Sequence, residues 1–541
     1  MQKNLFLVLA ILSGSILVLP LISPLPGLLV FAGYVPLLYA EFLLTRDKLP
    51  YTNLKVLLLA FVCFSTVNLV SLYPFAKLLS YWIVLFSVFS AILSAVVFLL
   101  FSVAKRILGK VLGYATWIVF TVAFEFLSLN SNFSFPCLLA GALFFASGNV
   151  SLIQWYEYTG VLGGSVWILA CNLLLFFLLK KHIETKSLKK NARLLTVSLA
   201  CVLCPMIFSL YKYHTYVEIP NPVEFVVIQP NIDPYTEKFV ESNDRQLDEM
   251  LLLAKQTIRP ETDYVVFPET VLDGNIWLNN IAENPLILKI RDSLLIDYPR
   301  AKVIAGADMM QYYVVHDGKA PTPWAKKVDD KIYYDFFNAA LQIDSKGDVE
   351  VYKKSKLVLG TEYIPLTQKY PQLERLIINL GGSSQGRGRQ EKPSLLTSET
   401  ASVASIICFE SIFGEYVSKF VKLGGEIICI ISNDGWWNPV PIPEKHFEHA
   451  QIRAIENRRS VVRCANTGIS GFINQKGDAV AISHWWRQES MLLSVNKNTE
   501  LTFYARYGDY VGRICVILSL LIFFVSIFRL VNRRKVGAIF V

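Results

Sequence analysis

The apolar positions fall into two regimes: residues 1–211 are almost all long apolar runs, whereas residues 217–506 break into short apolar stretches separated by polar ones. Runs at Met1–Leu19, Gly27–Leu44, Leu54–Tyr73, Tyr81–Phe101, Val111–Leu129, Gly160–Leu179, Leu194–Tyr211 and Val511–Leu530 each approach the roughly 20 residues that a helix needs to cross a bilayer. They predict about eight membrane helices. Lys3 and the apolar stretch after it could be a signal peptide, but no small-x-small cleavage site follows and more apolar segments come at once, so it reads as a retained helix. Further on the period shortens. Strands are expected at Glu224–Gln229, Tyr264–Phe267, Lys302–Ala307, Asn338–Ile343, Ser402–Cys408, Ile427–Ser432, Val461–Ala465 and Gly471–Asn474. Helices are expected at Asp244–Thr257, Pro285–Leu295, Ile412–Leu423 and His446–Arg458. The alternation is that of an α/β domain. The expected organisation is a membrane α-helical bundle of about seven helices over residues 1–215, an α/β domain over 216–508, and a last membrane helix with a basic tail over 509–541.

Composition sharpens this. A hydrophobic share of 53% and a mean hydropathy of +0.42 are too high for a soluble chain of this size. The net charge of +9 could speak for nucleic acid, yet its cations collect between apolar runs: Lys3, Arg46 and Lys48, Lys105 to Lys110, Lys180 to Arg193, and Arg529 to Lys535. They sit on alternate connections, so both termini are expected in the cytoplasm and the α/β domain outside it. The aromatic connection Asn130–Tyr158 is expected at the outer interface or dipping into the membrane. Nine cysteines show no disulfide-like spacing, and the Cys201/Cys204 pair, set in an apolar run, reads as packing.

Ligands of open α/β sheets collect at the carboxyl ends of strands, and the polar chemistry of this chain sits there: Gln229-Pro-Asn231, Pro268-Glu269, Cys408 and Ser432-Asn-Asp434. A strand cysteine is more often a small core hydrophobe than a nucleophile. An acid and a lysine elsewhere change that balance. Glu269, desolvated behind Val265, Val266 and Phe267, is a candidate general base, against the plain reading of a turn acid after proline. Lys354 is a candidate for favouring the thiolate and holding an oxyanion, against a solvated charge in a basic run. His446 and His449 lie one turn apart, a zinc-like spacing without a third ligand, and are read as structural; no metal is expected.

The segment Tyr352-x-Lys354-x-x-Leu357-Val358-x-x-x-Glu362-Tyr363-Ile364-Pro365 resembles the lysine segment of bacterial apolipoprotein N-acyltransferases, members of the nitrilase (carbon–nitrogen hydrolase) superfamily. It departs from their pattern at Leu359, Gly360 and Thr361. Val227-Ile-Gln229-Pro-Asn231, Pro268-Glu269, Ile407-Cys408-Phe409-Glu410, Ser432-Asn-Asp-Gly-Trp-Trp437 and the stretch from His446 to Gly468 are similar to the family's other blocks, as is a polar domain set before the last span. The resemblance implies a nitrilase-like αββα sandwich with a Glu269, Lys354 and Cys408 triad, supported by Glu362, Glu410 and Phe409. Phe409 stands where the family often has tyrosine, and Phe239 near a position where some members have tryptophan. Trp436, Trp437, Tyr363 and Phe239 are candidates for an acyl pocket.

What the resemblance implies is transfer of an acyl chain from a phospholipid, phosphatidylethanolamine being the expected donor, through a thioester on Cys408 to the α-amine of a diacylglyceryl-modified apolipoprotein. It implies no cofactor and a cell inner membrane setting, with the active site open to lipid. The stretch Tyr370–Leu380, apolar at helical spacing, and the glycine-rich Gly381–Arg389 are expected to form a lid over the lipid entrance, the second as a mobile linker. Two other readings stay open: a membrane-anchored amidase using water, and a transporter or receptor with an extracytoplasmic binding module. The scarcity of ionisable residues in the middle of the spans speaks against transport.

Overall fold

The computed structural model describes residues 2–22, 27–47, 49–72, 81–130, 142–146, 148–238, 240–316, 318–364, 367, 369–370, 372–373, 386–437 and 442–539. Two units separate: Met1–His214 with Tyr507–Val541, and Thr215–Arg506.

The first unit is helical. Its long helices are Gln2–Ile22, Thr52–Leu72, Tyr81–Leu108, Lys110–Asn130, Tyr156–Thr185, Ala192–Thr215 and Tyr510–Ile539, with a shorter one, Val35–Arg46, entered through a 3-10 turn at Gly27–Phe31. Among the described residues seven stretches are long and apolar enough to cross a membrane, the C-terminal one included, and the first helix carries a shorter apolar stretch, Asn4–Pro20. Several helices overrun the apolar runs that announced them. Tyr81–Leu108 continues past Phe101 because Lys105 turns inward to a buried ion pair with Glu41, which also accepts from Ser102 Oγ at 2.6 Å. A buried charge is tolerable when paired and hydrogen-bonded. Gly109, at φ +89°, then ends the helix. Within the connection Asn130–Tyr158, Ala142–Ala146 is helical and Phe145 is buried, its ring 5.1 Å from Phe31 and 5.2 Å from Trp167. Phe133 and Phe135 lie outside the described residues.

The second unit carries two sheets. The first contains β1 (Pro222–Gln229), β2 (Tyr264–Val266), β3 (Leu272–Trp277), β4 (Lys302–Val314), β5 (Lys326–Lys327), β6 (Ile332–Ile343) and β7 (Val349–Lys353). The second contains β8 (Leu396–Thr397), β9 (Ser402–Ile407), β10 (Ile427–Ser432), β11 (Val461–Ala465), β12 (Gly471–Ile473) and β13 (Ala479–Ile482). The last strand, β14 (Glu489–Asn496), returns to pair antiparallel with β1. In the first sheet β1, β2 and β4 run parallel and β6 antiparallel to β4. In the second β9, β10 and β11 are parallel. The sheets meet through β1 on β11 and β6 on β9, and Cys464 Sγ on β11 lies 3.1 Å from the Ile228 carbonyl and 3.3 Å from that of Val266. Helix Asn243–Thr257 covers the first sheet; Gly414–Lys422 and Ile442–Asn457 cover the second.

The sequence explains these choices. Ile427–Ser432 is wholly buried, as a central parallel strand covered on both faces must be, hence its unbroken apolar run. In helix Asn243–Thr257, Leu247, Met250, Leu251 and Ala254 recur at i, i+3, i+4 and i+7 and are buried against Val226, Ile228 and Val265, each large side chain contributing about 1.5–3 kcal/mol. Ser242 caps its first turn by accepting from the Arg245 N–H. Strands β3, β5, β7, β8, β13 and β14 were not apparent in the sequence. β7 and β14 mix polar with apolar residues and stay half-buried along most of their length, so they lack the apolar contrast by which a strand is recognised; β13 is apolar but only four residues long, with Val480 and Ile482 exposed.

Candidate active site

Two chain reversals and the end of a third strand, all at carboxyl ends of strands, build the site. After β2, Pro268 turns the chain and Thr270 takes φ +49°. This turn fits only because β4 carries glycine: a Cβ on Gly306 would stand 2.5 Å from Glu269 Cα and from the Thr270 nitrogen. After β9, Cys408 itself adopts φ +51°, a left-handed conformation that costs a non-glycine residue about 1 kcal/mol or more. The strain lifts the thiol out of the strand line at a sharp strand-to-helix turn, Cys408–Ile412 being 3-10. β7 runs straight on into Lys354, whose N–H donates to the Asn338 carbonyl at 2.8 Å.

The three strand ends bring Glu269, Lys354 and Cys408 into one buried group, with Lys354 only 1% exposed. Lys354 Nζ lies 3.0 Å from Glu269 Oε1 and 3.1 Å from Glu362. Asn338 on β6 donates Nδ2 to Glu269 Oε1 at 2.8 Å and to Glu362 Oε1 at 2.9 Å. The Asn433 N–H reaches Glu269 Oε2 at 3.1 Å and the Val358 N–H reaches Glu362 Oε2 at 2.9 Å. Two carboxylates thus share one ammonium and one amide. Burial alone would lower the Lys354 pKa, but Glu269 and Glu362 together hold it above its ordinary value. Glu362 is driven the other way: burial opposes its charge, yet Lys354 and Arg387 keep its pKa below normal. Both groups are therefore charged at neutral pH.

The Cys408 thiol is pushed well up, first by burial and then by the Glu269 charge, with Lys354 and a hydrogen bond from Ser432 working against them. It rests as a thiol, and a carboxylate among its electrostatic neighbours suits a base that takes the proton when substrate arrives. Glu410 has a different task. Its Oε1 accepts from Tyr352 Oη at 2.7 Å, the Ser355 N–H at 2.7 Å and the Lys356 N–H at 3.0 Å, and its Oε2 from the Ile407 N–H at 3.0 Å. It ties the lysine segment to the nucleophile's turn. Burial nonetheless raises its pKa.

The remaining sequence candidates fall variously. Phe409 is half-buried, its ring 5.2 Å from Phe413. Tyr363 lies near the site segment with Arg389 5.9 Å over its ring. Trp436 and Trp437 follow the Ser432 strand end in a 3-10 turn, Asp434–Trp437. Phe239 lies outside the described residues, and so do residues 374–385 of the expected lid. The part of the glycine-rich stretch that is described is no linker: the Arg387 side chain, 12% exposed, is held in a bidentate pair with Asp308 (Nη2 to Oδ2 3.2 Å) and reaches Glu362 at 4.0 Å. Asp308 and Asn338 are register partners across β4 and β6. Sequence reasoning missed Asn338, Asp308 and Arg387. A polar residue interrupting an apolar stretch, as Asp308 does after Val303–Ala307 and Asn338 does between Phe337 and Ala339, is a signal by which two of them could have been found. Lys238 is another: it is buried, donates to Thr270 Oγ1, and is lowered in pKa by burial despite Asp308 and Glu269 nearby.

His446, read as structural, lies beside the nucleophile. Its Nδ1 is 3.0 Å from Asp434 Oδ1, and Cys408 Sγ, Asp434 and His446 converge within 4.8 Å. Arg463 Nη2 sits 2.7 Å from Asp434 Oδ2 and 3.0 Å from His446 Nδ1, so a guanidinium already supplies the positive charge where a metal would. Asp434 is held well below the usual carboxylate range, Arg463 and His446 outweighing burial. His449 is half-buried, and desolvation and its cationic neighbours push it down to about 3.

A family model described as carbon–nitrogen hydrolase matches residues 227–500. The apolipoprotein N-acyltransferase of Chlorobaculum tepidum is 26% identical over 472 residues, 82% of this chain and 84% of that one. The one of Thermotoga maritima is 25% identical over 550 residues, 98% of this chain and 96% of that one. Among solved structures, an amidase from Nesterenkonia sp. aligns with a TM-score of 0.36 at 13% identity, over 55% of this chain and 98% of that one. On the match over residues 227–500, the chain belongs to the carbon–nitrogen hydrolase family.

Proposed function

We propose that the protein moves a fatty acyl chain from a membrane phospholipid, phosphatidylethanolamine being the expected donor, to the α-amine of a diacylglyceryl-modified apolipoprotein. The observation that carries this is the buried Glu269–Lys354 pair beside the Cys408 thiol, in a chain whose described residues include seven helices long and apolar enough to cross a membrane and which is similar along most of its length to proteins named apolipoprotein N-acyltransferase. Glu269 takes the Cys408 proton as sulfur attacks the ester carbonyl. Lys354 and the Phe409 N–H face the oxyanion of the tetrahedral intermediate. On collapse the ester C–O bond breaks, Glu269 returns the proton to the departing oxygen, and a lysophospholipid leaves a thioester on Cys408. The acceptor amine then attacks the thioester. Glu269 takes the amine proton and gives it to the leaving sulfur, restoring the thiol. Lys354, held cationic by two carboxylates, stays charged throughout.

The setting we propose is a cell inner membrane with both termini in the cytoplasm and the catalytic unit outside, because the basic connections alternate along the chain. Purified wild-type protein given acyl-labelled phosphatidylethanolamine and a diacylglyceryl lipopeptide is expected to label the lipopeptide, and C408S to label nothing. Ammonia release from small amides without lipopeptide labelling would instead select the amidase reading. Unchanged behaviour of C408S would select a binding module.

A further inference from the structure

The mechanism leaves one buried assembly unused: the His446, Asp434 and Arg463 cluster behind the nucleophile. Its contacts run to the backbone of Cys408. His446 Nε2 lies 3.2 Å from the Cys408 carbonyl oxygen and 2.9 Å from Ser411 Oγ, and Ser411 Oγ donates to that same carbonyl at 2.8 Å. The other side of the imidazole is fixed: Nδ1 faces Asp434 Oδ1 at 3.0 Å, and Asp434 is clamped by Arg463 at 2.7 Å and Ser432 Oγ at 2.6 Å. Arg463 and Asp434 are fully buried and His446 is 9% exposed. An imidazole held this firmly has one free variable left, the carbonyl it faces.

That carbonyl belongs to the peptide joining Cys408 to Phe409. A trans peptide is planar, so its C=O and N–H point in opposite directions. Fixing the Cys408 oxygen therefore fixes the direction of the Phe409 N–H. The turn needs such a tether, because Cys408 sits at φ +51°, where a non-glycine residue is strained and relaxes unless its surroundings hold it.

We infer that His446, braced by Asp434 and Arg463 and assisted by Ser411, is a positioning residue that aims the Phe409 N–H at the oxyanion of the acyl-transfer intermediates. The inference rests on the proposed acyl transfer through Cys408. His446 touches neither substrate nor sulfur proton in this role; it acts through a peptide plane.

Alkylation of a thiol by iodoacetamide is a displacement at carbon that forms no oxyanion, whereas acylation by an ester passes through one. The two reactions of the same sulfur therefore separate alignment of the oxyanion donor from collapse of the site. With full-length protein in phosphatidylethanolamine-containing micelles, both rates are read by mass spectrometry on the Cys408 peptide. H446A is expected to acylate about 10- to 100-fold more slowly, the scale of a small misplacement of a catalytic group, while iodoacetamide alkylates it at the wild-type rate. H446Q, which keeps a donor in reach of the carbonyl, is expected to lie closer to wild type. If H446A does not fold, H446Q and S411A carry the same comparison. Acylation and alkylation falling together, or neither falling, overturns the inference. Failure of the wild-type protein to acylate Cys408 at all refutes the acyl-transfer reading instead.

Discussion

At the scale of single residues, the site is an accounting of buried charge. Glu269 and Glu362 face the same ammonium, and like charges this close are tolerable only with enough donors. Asn338 supplies two of them. Replacing it with leucine, similar in volume but without the amide, leaves both carboxylates short of a partner. N338L is expected to lose about 1–3 kcal/mol of stability, read by denaturant unfolding of the purified protein, and to acylate more slowly. Wild-type stability in N338L would show that the amide does not hold the pair. Glu362 also sets an acid limit. Its folded pKa is depressed, so the stability it contributes is present above the ordinary glutamate value of about 4.3 and is lost as pH falls through the lower folded value. In E362Q that part of the acid unfolding curve is expected to vanish, leaving stability flatter with pH below that range. An unchanged acid slope would contradict the assignment. In the sequence Glu269, Lys354, Glu362, Cys408 and Glu410 were visible through motif resemblance, because each ends an apolar strand or sits in a dense block. Asn338, Asp308 and Arg387 were not, because their meaning lies in which strands become neighbours, and a one-dimensional pattern does not give pairing.

At the scale of elements, the site depends on turns that only certain residues permit. Gly306 is the clearest: a methyl there would stand 2.5 Å from the Glu269 Cα and 2.6 Å from the Pro268 carbonyl. Neither is a flexible side chain that can move aside, so G306A must shift the Glu269 turn or β4. It is expected to lose about 1–3 kcal/mol of stability, as overpacked positions do, with acyl transfer reduced more than phospholipid binding. Thermal unfolding together with the Cys408 acylation rate tests this; a fully active G306A would mean that the turn has room. The central strands were readable in the sequence because a strand covered on both faces is apolar throughout. β7 was not, although it leads directly into Lys354. Its Val349-Glu-Val-Tyr-Lys353 pattern alternates in the manner of a half-covered edge strand, and that weak contrast merged with the basic segment that follows.

At the scale of the whole molecule, hydropathy had already divided the chain, because a bilayer and an aqueous domain demand different residues. Where the helices begin and end was less legible: polar groups such as Glu41, Ser102 and Lys105 satisfy one another inside the bundle and let helix Tyr81–Leu108 run beyond its apolar core. The proposed topology makes a direct prediction. Single cysteines placed in the basic connections at 186–190 and after Arg529 should be shielded from a membrane-impermeant thiol reagent added to intact cells, while one at exposed Val480 in the catalytic unit should react; the reverse pattern would invert the orientation. The central claim is that the Cys408 sulfur carries the acyl chain between two lipids. Mass spectrometry of purified protein after incubation with phosphatidylethanolamine tests it most directly. The expected result is one fatty acyl mass on the Cys408 peptide, released by hydroxylamine and lost when a diacylglyceryl lipopeptide is added. Lipopeptide acylation proceeding with no acyl group on Cys408, or with the group on another residue, would contradict it.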